Sequence, residues 1–294
     1  MIRLGYAGMN TLLPSPSRTF RIAGYTEPLM IATAESNLRS TYEILRWNEA
    51  NGIKVFRISS AVIPFASHSI NGGSWRKALA PMLAEVGAYA RDCRMRLSMH
   101  PGQYTVLNSP EERVLSMALA DLDYHTTLLE LMGFARDARI VLHCGGGYGD
   151  KVQSLDRLEE RFLDLSDRMK CRIAFENDEN ICGAEILEFC KRIGTPAVFD
   201  VFHHEVHKSL PGMSNGEIIK AFAATWPKGE RQKIHYSDQH PTKKIGSHSD
   251  HIDVKRFLDF YSVVADLELD IMIEAKDKEQ SVLAIINALR NEYL

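Results

Sequence analysis

Eight short apolar runs, each followed by a stretch of helical period, recur along the 294-residue chain and constrain its fold more than any other feature. They are Ile2–Ala7, Ile53–Ser59, Arg96–His100, Arg139–His143, Arg172–Glu176, Ala197–Asp200, Lys233–Ser237 and Asp270–Ala275. Such runs read as strands buried on both faces, the habit of parallel sheets. Between them, Leu79, Leu83, Val86 and Ala90 form one apolar helix stripe. Leu155, Leu158, Phe162, Leu165 and Met169 form a longer one, expected as one continuous helix face. Ser109-Pro110-Glu111-Glu112 carries the N-cap, first-turn proline and glutamate of a helix start, and Gly194-Thr195-Pro196 is a stop signal. Unbroken βα alternation predicts an α/β fold: a closed TIM-type (β/α)8 barrel, with an open doubly wound sheet as the alternative. No Gly-rich fingerprint follows the first strand, which favours the barrel and argues against a nucleotide cofactor. Gly145-Gly146-Gly147, after the fourth strand, reads as a tight turn. Nothing resembling a linker divides the chain, so a single domain over 1–294 is expected.

Composition excludes several classes. Hydrophobic residues at 45% and charged residues at 25% are the usage of a packed chain, not a disordered one. No apolar run is long enough to span a bilayer, so no membrane partner is expected. The first residues read as a strand and carry no signal peptide. The five cysteines, Cys93, Cys144, Cys171, Cys182 and Cys190, contain no CxxC pair. That disfavours a disulfide framework or a thiolate metal site and fits a reducing, cytoplasmic setting; a monomer is expected. The net charge of −3 lacks the basic balance usual in nucleic-acid binders.

Residues able to hold metal collect where such barrels place their chemistry, at the C-terminal strand ends. The third strand ends in His100, the fourth in His143, the fifth in Glu176 and the sixth in Asp200, with His203 just beyond. The seventh carries His235 and the eighth Glu274, while His68 and His248 lie in the loops after the second and seventh. Of eleven histidines only His125 falls in a predicted helix. Any one strand-end histidine can be structural, and a strand-end carboxylate can cap the next helix. Six consecutive strands ending this way put carboxylates on one rim, where they need a counter-charge that divalent metal supplies. Imidazole and carboxylate without thiolate suit Mn²⁺ or Zn²⁺. Parity puts Lys233 and His235 on one side of their strand, and Met272, Glu274 and Lys276 on one side of theirs. A lysine facing a metal rim can snorkel to solvent, bind a substrate phosphate, or be carbamylated into an anionic ligand. Many ligands on one rim imply more than one metal, an arrangement suited to phosphodiester cleavage; metal-dependent sugar isomerisation is the other chemistry.

The motifs themselves resemble the UV damage endonuclease (UvdE) family, a relative of the endonuclease IV-type barrels. The matching stretches are Phe56-Arg57-Ile58, Ile63-Pro64-Phe65-Ala66-Ser67-His68, Arg96-Leu97-Ser98-Met99-His100-Pro101-Gly102-Gln103-Tyr104, Val141-Leu142-His143 and Phe175-Glu176-Asn177-Asp178-Glu179. The C-terminal half adds Asp200-Val201-Phe202-His203-His204, Lys233-Ile234-His235, Gly246-Ser247-His248 and Ile273-Glu274-Ala275-Lys276. The resemblance implies a DNA-repair nuclease that nicks damaged duplex DNA immediately 5′ to UV photoproducts, with on the order of two or three divalent ions, Mn²⁺ first and Zn²⁺ second. By matching motif, Glu176 would bridge two metals. His100 and His143 would complete the first site, Asp200, His235 and Glu274 the second, and His203 and His248 the third. Lys233 takes the place of a carboxylated lysine, and His68 that of a phosphate or leaving-group contact. Gln103 and Tyr104 would act as the probe inserted at the lesion, where poor stacking makes extrusion cheaper. Tyr6 and Asn10 match damage-contacting positions; Lys243 and Lys244, with Arg18 and Arg21, are candidate phosphate contacts. Bound metals would add on the order of +4 to +6 at the barrel mouth, so the near-neutral composition does not exclude a nuclease. The rival readings are an abasic-site endonuclease of the endonuclease IV type, a sugar isomerase, and a non-catalytic lesion-recognition protein.

Overall fold

Eight parallel strands hydrogen-bond in chain order and close on themselves in the computed structural model, which describes residues 1–293. They are β1 (Arg3–Gly8), β2 (Val55–Ile58), β3 (Arg96–Met99), β4 (Ile140–His143), β5 (Ile173–Glu176), β6 (Ala197–Asp200), β7 (Gln232–Tyr236) and β8 (Leu269–Ile273). Every residue of β3, β5, β6, β7 and β8 is buried, which is why Ile173–Phe175, Ala197–Phe199 and Ile271–Ile273 run apolar without alternation. The expected (β/α)8 barrel is the observed fold. Leu294, included in the expected 1–294 domain, lies outside the described residues.

The connecting helices are α1 (Glu27–Ala50), α2 (Trp75–Ala78), α3 (Ala80–Asp92), α4 (Glu112–Leu131), α5 (Lys151–Leu163) and α6 (Asp167–Lys170). There follow α7 (Gly183–Ile193), α8 (Val201–Val206), α9 (Asn215–Ala223), α10 (Val254–Val264) and α11 (Glu279–Tyr293). Gly194 ends α7 with φ 67°, the left-handed stop its sequence predicts. Three expectations are corrected. Helix α4 begins at Glu112, not at Pro110, because the Ser109 hydroxyl accepts from the amide of Glu111 (3.1 Å) and closes a local turn. The Leu155–Met169 stripe is not one helix: α5 ends at Leu163 and α6 starts after Ser166, with Leu158, Phe162 and Leu165 still buried. His203 and His204 lie in the short helix α8, so His125 is not alone in being helical.

Residue contacts group the chain into two units, one of Met1–Ala7 with the chain from Ala174 onward, the other of Gly8–Ile173. In the first, β1 and β8 pair with Arg3 opposite Asp270, and the Arg3 guanidinium donates twice to that fully buried carboxylate, both at 2.7 Å. Its core stacks Phe199 on Phe222 (5.1 Å between centroids) and Tyr236 on Phe257 (5.0 Å). In the second unit α3 and α4 meet at Gly87, where a Cβ would lie 1.9 Å from the Met132 carbonyl oxygen; only glycine admits that approach. Arginines near the strand starts donate to loop carbonyls, Arg139 to Cys171 (2.7 Å) and Arg172 to Phe134 (2.7 Å). Among the described residues no helix is long and apolar enough to cross a membrane. All five cysteines are free thiols.

Candidate metal centre

The first unit gathers acids and imidazoles where β5, β6 and β7 end. One ligand atom each from Glu176, Asp200 and His235 lie within 4.8 Å of one another, and all three residues are buried. His235 Nδ1 sits 2.6 Å from Glu176 Oε1 and 3.3 Å from Glu274 Oε1, so one ring nitrogen serves two carboxylates. Asp200 uses its Oδ1 to cap α8, accepting from the amide of His203 at 2.7 Å. Its Oδ2 is buried with no hydrogen-bond partner. A buried carboxylate oxygen left this way is costly unless something positive meets it. His203 and His248 stack edge-on with centroids 5.7 Å apart, and His248 Nδ1 lies 3.5 Å from Glu274 Oε2. Lys233 is fully buried two residues before His235, and its register partner is Asp270. Three carboxylates, Glu176, Asp200 and Glu274, thus gather around His235. A hard oxygen and imidazole donor set with a negative surplus and an open carboxylate oxygen fits a divalent cation.

Burial holds the Asp200 carboxyl up at about 7, with the Glu176 and Glu274 charges adding to the rise and His203 opposing it. A carboxyl raised in this way stabilises the metal-free fold fully below the ordinary carboxylate range, and that contribution is lost as pH rises through about 7. A cation needs the ionised form and competes with that proton. Mn²⁺ is therefore expected to raise the thermal midpoint more at about pH 8 than at about pH 5.5. Equal shifts in a thermal-melt series across that range would contradict the assignment.

The second unit brings His100 and His143 together, their rings 4.9 Å apart at the ends of β3 and β4. His68 is exposed, and its Nδ1 accepts from the Ile70 amide at 3.0 Å, which leaves Nε2 as the N–H donor. It follows Phe65, held at φ 57°, a strained angle for an aromatic residue, against Phe20 and Tyr25. Gln103 and Tyr104 project on the loop after β3, with Tyr104 69% exposed, while Asn10 is buried and folds its Oδ1 onto the Leu12 amide (2.9 Å). Back in the first unit, Tyr6 is fully buried. Lys243 and Lys244 are exposed, and Lys243 shares Asp250 with Lys276, at 3.8 and 2.9 Å.

One functional group escaped sequence reasoning. Asp238 accepts from the Asp253 amide (2.7 Å) and from Arg256 (3.0 Å), and Gln239 accepts from the Gly246 amide (2.9 Å). These bonds brace the loop that carries Lys243, Lys244 and His248. Asp238 lies two residues beyond the end of β7, and no local spacing marks its partners.

Fold and site together define a parallel α/β barrel with a hard-ligand cluster at its strand ends. The family profile described as UV-endonuclease UvdE matches residues 2–293. The UV DNA damage endonuclease of Clostridium perfringens is 36% identical over 295 residues, covering 98% of this chain and 71% of that protein. The crystal structure of SacUVDE superposes with a TM-score of 0.94 at 34% identity, over 99% of both chains. Endonuclease IV from Thermus thermophilus, 13% identical with a TM-score of 0.53 over 86% of this chain and 95% of that one, shares the fold alone. The chain belongs to the UvdE family and is an endonuclease.

Proposed function

We propose that this chain is a DNA-repair endonuclease that nicks duplex DNA immediately 5′ to UV photoproducts, pyrimidine dimers and 6-4 photoproducts, leaving a 3′-hydroxyl and a 5′-phosphate. The observation that carries this function is the buried Glu176, Asp200 and His235 group with its open carboxylate oxygen, in a member of the UvdE family. In this assignment Glu176 would serve two divalent ions, with His100 and His143 completing one set and Asp200, His235 and Glu274 the other, while His203 and His248 would hold a third. Lys233 serves as a carboxylated, anionic side chain. When bound, divalent ions, Mn²⁺ by preference, supply Lewis acidity that acidifies water and offsets charge on the phosphoryl oxygens.

The chain's own groups do the rest. Asp200 fixes the start of α8 and thereby the position of His203. His68, with its proton on Nε2, donates to a phosphate oxygen or to the departing 3′-oxygen. Gln103 and Tyr104 fill the gap where the damaged dinucleotide leaves the stack, and Lys243 and Lys244 hold backbone phosphates. Tyr6 and Asn10 are assigned to the lesion by motif position alone, both being buried in the unbound chain. Nicking of matched duplexes carrying a pyrimidine dimer, an abasic site or no lesion separates this function from the endonuclease IV type. Preference for the dimer supports it; preference for the abasic site overturns it.

A further inference from the structure

His125 is fully buried in α4 and takes no part in the proposed chemistry. Its Nδ1 lies 2.6 Å from the backbone oxygen of Asp121, one helical turn back, and its Nε2 lies 2.9 Å from Ser60 Oγ. Ser60 Oγ in turn donates to the backbone oxygen of His100 at 2.9 Å. The Asp121 carbonyl can only accept, so the ring proton sits on Nδ1 and Nε2 accepts. The single Ser60 hydrogen is then shared between that nitrogen and the His100 carbonyl. Burial lowers the His125 pKa, which keeps the ring neutral in this role.

The same helical turn holds a second bond. The Asp121 carboxylate accepts from Thr105 Oγ1 at 2.8 Å, and both residues are buried. His100 and Thr105 are the two ends of one short loop, and Gln103 and Tyr104 are its exposed tip. Within the loop the Thr105 amide donates to Gly102 O at 2.9 Å. The Tyr104 ring lies over Gly102, where a Cβ would come within 2.5 Å of it. The loop is thus closed on itself and tied down at each end.

We propose that Asp121 and His125 on α4 are positioning residues that clamp both ends of the 100–105 loop and so hold Gln103 and Tyr104 ready for the lesion. This rests on the function proposed above. A tip this exposed gains lesion selectivity if its conformation is set before binding. A loose tip must be ordered when it enters the gap at a lesion, a cost that falls on the damaged duplex and not on the intact one, which offers no gap. The clamp sets it through groups that never touch DNA.

The test is binding of a photodimer duplex and its undamaged counterpart by the full chain, in chelator so that no strand is cut. Thr105→Val removes one hydroxyl without changing shape and is expected to lower the ratio of the two affinities about five- to tenfold. Thr105→Ser, which restores the hydroxyl, is expected to return the ratio to within about twofold of the parent. Ser60→Ala, which cuts the other tie, is expected to lower it about threefold. A role in stability alone would lower the thermal midpoint and leave the ratio untouched. If the parent discriminates and both hydroxyl deletions discriminate equally well, the clamp is wrong while the function stands. A parent that does not discriminate overturns the proposed function, and the clamp with it.

Discussion

Glu176→Gln is expected to lower the nicking rate by at least about a thousandfold while leaving affinity for damaged duplex within a few-fold of the parent. Glutamine keeps the volume and one acceptor oxygen, so the contact of 2.6 Å with His235 Nδ1 can persist and the fold is not disturbed. What it loses is the charge. Glu176 is 2% exposed and is the member of the buried group assigned to two cations at once, so neutralising it weakens both positions together. Selectivity for the lesion is assigned to the exposed Gln103 and Tyr104, which the substitution does not touch. Single-turnover nicking and a gel-shift titration on the same preparation check both halves. Undiminished nicking would remove Glu176 from the chemistry.

Arg3→Met is expected to destabilise the fold by about 2–4 kcal/mol, because it removes two charge-assisted hydrogen bonds from a buried carboxylate. Asp270 is fully buried at the β1–β8 pairing and receives two hydrogen bonds of 2.7 Å from Arg3, whereas Arg231 stands at the longer distance of 3.8 Å. Methionine retains the aliphatic stem, so the loss reads the ion pair rather than packing. For a chain of this size the thermal midpoint should fall on the order of 3–6 °C. Arg3→Met combined with Asp270→Asn should recover part of the loss, since the buried carboxylate charge is then gone as well. A single variant that melts within a degree or so of the parent would show that Arg231 already neutralises Asp270.

The barrel was legible because its strands are buried on both faces: Ala197–Asp200 was read from the sequence with the ends that β6 has, and most other strands differ by a residue or two. Ends governed by side-chain hydrogen bonds were not. Ser109 carries the signature of a helix cap yet spends its oxygen on a turn, and six-residue α8 is too short to leave a period. The strand-end ligands were legible from position alone, since the barrel dictates which end carries chemistry. Their partners were not, because His235 meets Glu176 across 59 residues and His125 meets Ser60 across 65. Burial is equally invisible at Tyr6 and Asn10, polar residues near the end of β1 whose place reads as accessible although both are buried.

The most direct test of the central claim is to incubate the purified protein and Mn²⁺ with an end-labelled duplex carrying one pyrimidine dimer and to map the product at nucleotide resolution. A single nick immediately 5′ to the dimer, with an extendable 3′-hydroxyl and loss of the product in chelator, is the predicted result. No metal-dependent nick, or a nick of equal yield on undamaged duplex, would contradict it.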